Sequence, residues 1–120
     1  MKMLADTSFL AALYLAEDEH HEEVERIYSQ QEGFILLDCV LEELLTVLTY
    51  KRGKGLAKRV YEKIKNSETM EIIYLSVSEK EDLYLKFIND SKKIKFQDFA
   101  LLQFSRILKT NIASFDKDLK

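Results

Sequence analysis

Proline and tryptophan are absent from this chain, and only three glycines and one cysteine occur among its 120 residues. With no proline and so little glycine, no stretch has the composition of a linker, and no repeat or low-complexity tract divides the sequence. Residues 1–120 are therefore expected to form a single domain, long enough to bury roughly two-thirds of the surface its unfolded form exposes. Cys39 stands alone, which excludes an internal disulfide and suits a reducing compartment. The apolar stretch at the start is too short to span a bilayer and is broken by Asp6, so no membrane partner is expected. Lys2 alone is a weak basic region with no small-residue cleavage site after it, so no signal peptide is expected, and a cytoplasmic protein is the plain expectation. Histidine is scarce as well. His20 and His21 fall in an acidic stretch, expected at the surface and far from the strand ends, and with Cys39 they offer no ligand set for zinc.

What is present is an ordinary globular balance, 47 % hydrophobic and 32 % charged, with a net charge of −3. The charges are unevenly spread. Residues 1–50 carry eleven acids against two bases, residues 51–67 seven bases against one acid, and residues 91–120 seven bases against three acids. An acidic region flanked by basic ones suits a phosphodiester and its cations, although a basic run such as Lys51, Arg52 and Lys54 is equally well read as a solvated helix face.

Four short apolar or β-branched runs read as buried strands: KMLA (2–5), FILL (34–37), EIIYL (71–75) and NIASF (111–115). Between them lie stretches with helical spacing, SFLAALYLA, the acidic segment holding Val24, Ile27 and Tyr28, CVLEELLTVLTYKR, GLAKRVYEKIKN, SEKEDLYLKFIND and QDFALLQFSRILK. Strands separated by helices require crossover connections. The expected class is α/β, with a parallel sheet covered by helices on both faces. The two N-terminal helices, with Tyr14, Leu15, Val24 and Ile27, are the candidates for a protein interface, while Phe9, Phe99 and Phe104 fall on apolar faces and are expected in the core.

Ligands in such sheets bind beyond the carboxyl ends of the strands, where strand order reverses. Asp6, Asp38 and Asp116 each lie just past a strand. Each also has a bland explanation, since Asp6 and Asp38 can cap the helices that follow and Asp116 can close an Asx-turn. On the helix 39–52, Glu42 shares a face with Thr46 and Thr49 and is expected in water. Glu43 flanks the apolar stripe beside Val40 and Val47, expected to be partly desolvated and to need a hydrogen bond or a cation. Asp98 sits in the first turn of its helix, where the helix dipole alone would favour it. Two carboxylates about 5 Å apart repel by roughly 3 kcal/mol at an effective dielectric near 20, so several in one cleft call for a dication, and oxygen ligands favour Mg2+ or Mn2+.

LADTSFL, VLEELLTVL, KFQDFALLQFSRIL and SFDKDL, in this order and spacing, resemble the motifs of the PIN-domain family, and are most similar to those of VapC-type toxin ribonucleases from prokaryotic toxin–antitoxin pairs. The resemblance implies a three-layer α/β/α PIN-like fold with a central, mostly parallel sheet of four strands, or five if a final short strand is added. It assigns the catalytic and metal-holding acids to Asp6, Glu43, Asp98 and Asp116, with Asp38 and Asp118 as accessory candidates. It implies a Mg2+- or Mn2+-dependent endoribonuclease that hydrolyses RNA by a cation-activated water, leaving a 5′-phosphate and a 3′-hydroxyl. Ser8 and Ser114 are candidates to bond the carboxylates or the scissile phosphate, and Lys51, Arg52, Lys54 and the Lys92–Lys95 cluster to contact phosphates. The partners it implies are RNA, a second copy in a homodimer, and a cognate antitoxin. Three departures stand out. Asp38 replaces the family's usual small hydroxyl residue, the segment before Asp98 is unusually basic, and the family's final strand is expected to be missing or minimal. A non-catalytic PIN-like scaffold and an RNA-processing nuclease outside toxin–antitoxin systems are the alternatives. A phosphoacceptor receiver domain is excluded by the single acid after the first strand and by Leu75–Ser76 after the third.

Overall fold

The computed structural model describes residues 2–116 and Leu119. The elements run β1 (Met3–Ala5), α1 (Thr7–Tyr14), α2 (His21–Gln30), β2 (Phe34–Leu37), α3 (Asp38–Arg52), α4 (Lys54–Lys65), β3 (Met70–Ile73), α5 (Val77–Asn89), α6 (Phe96–Leu108) and β4 (Ile112–Ala113). Among the described residues the strands form one four-stranded sheet of order β3-β2-β1-β4, and every neighbouring pair is parallel. The fold is the three-layer α/β/α arrangement that the alternation of runs implies.

The continuous apolar character of FILL follows from its place inside the sheet, where both faces are covered. Phe34, Leu36 and Leu37 are fully buried, as are Leu4 on β1 and Val40, Leu44 and Leu48 on α3. Phe9 of α1 packs its ring 5.1 Å from that of Phe34. The helix stripe of α1 and α2 is spent on this core: Leu15 and Val24 are only 4 % and 0 % exposed, so they are not available for the interface expected from sequence. Of the exposed large apolar side chains, four lie on α5, at Val77, Tyr84, Leu85 and Ile88. Gly53 joins α3 to α4 with φ +94°, a left-handed conformation that glycine takes without the clash a side chain would meet. No helix among the described residues is long and apolar enough to cross a membrane.

Chain direction explains where the site forms. From β1 the strands step outward through β2 to β3, and β4 then returns to the other side of β1. Strand order therefore reverses between β1 and β4, and the crevice beyond their carboxyl ends lies between Asp6 and the Ser114–Asp116 turn. The fourth strand is shorter than the run NIASF because its end is diverted into that crevice. The Phe115 and Asp116 backbone N–H groups donate to the hydroxyls of Ser8 and Ser114, at 3.1 and 2.9 Å, rather than to another strand.

The third strand ends at Ile73, two residues before the apolar run does, and Asp38 is the reason. Its Oδ1 accepts from the Cys39 N–H at 2.9 Å and its Oδ2 from the Leu75 N–H at 3.1 Å, with the Lys80 ammonium at 3.5 Å. Asp38 thus ties the start of α3 to the chain leaving β3 and to α5. Replacing Asp38 by Ala strips these partners from a buried position, and a loss of about 2–3 kcal/mol is expected in denaturant unfolding, with the rest of the fold intact.

Candidate active site

The end of β1 delivers Asp6 at the base of a cleft of ≈ 470 Å³ that is also lined by Thr7, Ser8, Glu43, Lys95, Gln97, Asp98 and Asp116. Four acids from separate stretches of chain face one hollow. Asp6 occupies the N-cap position of α1 but makes no side-chain cap hydrogen bond, so its carboxylate is not there to start the helix. Its Oδ2 instead accepts from the Ser114 hydroxyl at 2.8 Å and from the Ser8 hydroxyl at 3.1 Å. Each of these serines also accepts a backbone N–H from the turn carrying Asp116. The two hydroxyls therefore act as relays, fixing a 5 % exposed carboxylate to the backbone of the strand beside it. Both bonds fall on Oδ2, which leaves Oδ1 for the cleft.

Asp98 enters from the first turn of α6 and is 4 % exposed. Burial, the charges of Asp116 and Asp6, and a hydrogen bond with the Asp116 side chain push its pKa up from 3.8 to about 6, with Lys95 pulling the other way. The crowding that raises this carboxyl is a repulsion that a dication relieves. Glu43 reaches the cleft from α3. It is exposed rather than partly desolvated as its place beside the apolar stripe suggested, and it is held by the Gln97 carboxamide, which donates to its Oε1 at 3.0 Å. The same carboxamide donates to the Thr7 hydroxyl at 3.1 Å.

The other sequence candidates fall elsewhere. Asp38 does not line the cleft, because its oxygens are engaged with Leu75 and Lys80. Asp118 lies outside the described residues. Lys51 and Arg52 sit at the far end of α3, about 12–14 Å along the helix from Glu43 at 1.5 Å per residue, Lys54 begins α4, and none of the three lines the cleft. Arg52 pairs with Glu17 at 2.9 Å. Among the described residues, the cation that does line the cleft is Lys95, from the basic segment before Asp98. Gln97 was missed, since a neutral amide beside an acid leaves no trace in charge or periodicity. His20 is also closer to the site than expected: its ring stacks on Phe115 at 4.0 Å, and Phe115 lines the cleft. Cys39 is half-buried, and burial pushes its thiol up to about 11, so it is no nucleophile.

Among the described residues no three His, Cys, Asp or Glu side chains stand in a ready ligand shell. The donor set nevertheless fits a hard dication. It is all carboxylate, it is buried at Asp6 and Asp98, and the charges of Asp116 and Asp6 both act on Asp98.

The PIN domain family matches residues 3–120. No curated protein matches the sequence. Among solved structures, Mycobacterium tuberculosis VapC20, described as a sarcin–ricin loop cleaving toxin, shares the fold with a TM-score of 0.84 at 23 % identity, covering 98 % of this chain and 92 % of that one.

Two outcomes follow from this geometry. In EDTA, Asp98 binds its proton more tightly in the folded chain than in the unfolded one, so the stability it contributes is present below about pH 4 and lost as pH rises through about 6. Relative to Asp98→Asn, the wild type should lose stability over that window in urea titrations, and a pH-independent difference would show that the carboxyl is not crowded. Ser114→Ala removes a hydrogen bond to a buried carboxylate and should cost about 1.5–3 kcal/mol in the same assay.

Proposed function

We propose that this chain, which belongs to the PIN domain family, is a divalent-cation-dependent endoribonuclease and the toxin of a type II toxin–antitoxin pair. One observation carries the nuclease reading: Asp6, Glu43, Asp98 and Asp116, from four separate elements or turns, line one cleft. The structural neighbour's description as a sarcin–ricin loop cleaving toxin supports RNA as the polymer.

Asp6, Asp98 and Asp116 would hold Mg2+ or Mn2+, with Glu43 completing the set. A bound dication supplies Lewis acidity toward a phosphodiester oxygen and a lowered pKa for an attacking water. The chain's own residues do the rest. Ser8 and Ser114 keep Asp6 in one orientation, so no reorganisation of that carboxylate is needed as charge develops. Lys95, at the rim and next to the acids, places a positive charge where a phosphate enters. Glu43, on the open side, can accept a proton from water through the oxygen that Gln97 leaves free. Hydrolysis along this line gives a 5′-phosphate and a 3′-hydroxyl. A second copy of the chain and a cognate antitoxin belong to the same proposal. A scaffold that binds without cutting is less well supported, because nothing in this cleft has lost an acid.

The test is cleavage of a labelled single-stranded RNA by the purified chain in Mn2+. Cutting should stop in EDTA and return with added Mn2+. Asp6→Asn should be folded, by an unchanged thermal unfolding profile, and slower by on the order of a hundredfold or more, since an essential ligand contributes several kcal/mol to the transition state. Cleavage that persists in EDTA, or an Asp6→Asn variant as fast as wild type, would reject the assignment.

A further inference from the structure

We propose that Gln97 is a positioning residue that latches Glu43 into the acid cleft, and that this latch sets how tightly the cleft takes a divalent cation. The inference rests on the metal-nuclease reading and adds to it a residue that neither charge nor motif marks.

The four acids are not held equally. Asp6 and Asp98 are buried and are fixed by two serine hydroxyls and by a helix turn, respectively. Glu43 is exposed on the surface of α3, with several free torsions and no rigid strand end behind it. Left alone, such a side chain samples several rotamers and spends little time facing its neighbours, which all repel it. The Gln97 carboxamide removes that freedom. A carboxylate can only accept, so it is the amide nitrogen that reaches Glu43 Oε1, at 3.0 Å, and its second N–H reaches the Thr7 Oγ1, at 3.1 Å. Thr7 is 6 % exposed, so the latch is anchored at its inner end by a buried group and is not a pair of solvated surface chains. The bond occupies Oε1 and leaves Oε2 to the cleft.

Placement in the chain makes the device economical. Gln97 precedes Asp98 in the first turn of α6, and Thr7 follows Asp6 at the start of α1. The segments that deliver two of the acids therefore also deliver both parts of the latch for a third. Without a cation the latch gathers like charges and should add nothing to stability. With a cation it presents Glu43 already oriented, so its value should show in affinity rather than in folding.

The experiment titrates Mn2+ into the full chain, following free Mn2+ by electron paramagnetic resonance, for wild type, Gln97→Met, Glu43→Gln and the double variant, with thermal unfolding in EDTA measured alongside. Methionine keeps the length of glutamine and removes both donors. Gln97→Met should weaken Mn2+ binding about tenfold, as loss of an outer-shell partner does, with its EDTA unfolding midpoint at the wild-type value. The same change made in Glu43→Gln should weaken binding no further. Thr7→Val, which frees the anchor and leaves the amide, should weaken binding by about two- to threefold and likewise only while Glu43 is present, so the inference stays testable even if Gln97→Met misfolds. Wild-type affinity in Gln97→Met, or penalties that multiply in the double variant, would overturn the latch while leaving the nuclease reading intact. A wild-type chain that binds no Mn2+ would overturn both.

Discussion

Mutual repulsion among carboxylates is the constraint around which this structure is arranged. Asp6, Asp98 and Asp116 line the crevice between β1 and β4, and their crowding, together with burial, pushes the Asp98 carboxyl up to about 6. Keeping that arrangement is costly, since buried like charges favour any fold that would separate them. It persists because the surrounding bonds leave the side chains nowhere else to go. Asp6 is tied to two hydroxyls, those hydroxyls are tied to the backbone that bears Asp116, and Asp98 is set in the first turn of a helix whose Phe99, Ala100 and Leu101 are core. The strain is local, and the hydrophobic core that opposes it is distributed over the whole sheet.

The topology makes the gathering possible. A parallel sheet of order β3-β2-β1-β4 brings the first and last strands together, so residues at the two ends of the sequence become neighbours across one crevice. β4 has only two residues in ladder pairing, and the chain beyond it is held by side-chain hydroxyls instead of strand hydrogen bonds. A longer strand would carry Asp116 past the crevice. Shortness here is what places the acid, and Ser8 and Ser114 make good the backbone bonds that the short strand gives up.

Much of this was legible in the sequence, because the relevant signals are local. The FILL and MLA runs are apolar without alternation, as strands buried on both faces must be, and the acids just past the strands fall where α/β sheets bind ligands. The failures share a cause, which is contact between residues remote in sequence. Asp38 follows its strand as Asp6 does, and only the Leu75 N–H and Lys80, both far along the chain, show that it is a clamp rather than a ligand. Leu15 and Val24 looked like an interface because the core they enter is built from other segments. The basic run at Lys51–Lys54 has the right charge, but helix rise carries it away from the cleft, whereas Lys95, one member of a second basic cluster, is brought there by its place before Asp98. His20 was set apart by its acidic neighbours and is returned to the site by the ring of Phe115. Glu43 was placed on the correct side of its helix but not at the correct depth, because the depth depends on how α6 and its glutamine approach.

Diffraction from crystals soaked in Mn2+, recorded for the anomalous scattering of manganese, tests the central claim most directly. The account predicts a strong anomalous peak within coordination distance of Asp6 and of at least one of Asp98 and Asp116. A peak elsewhere on the surface, or none at saturating Mn2+, would contradict it.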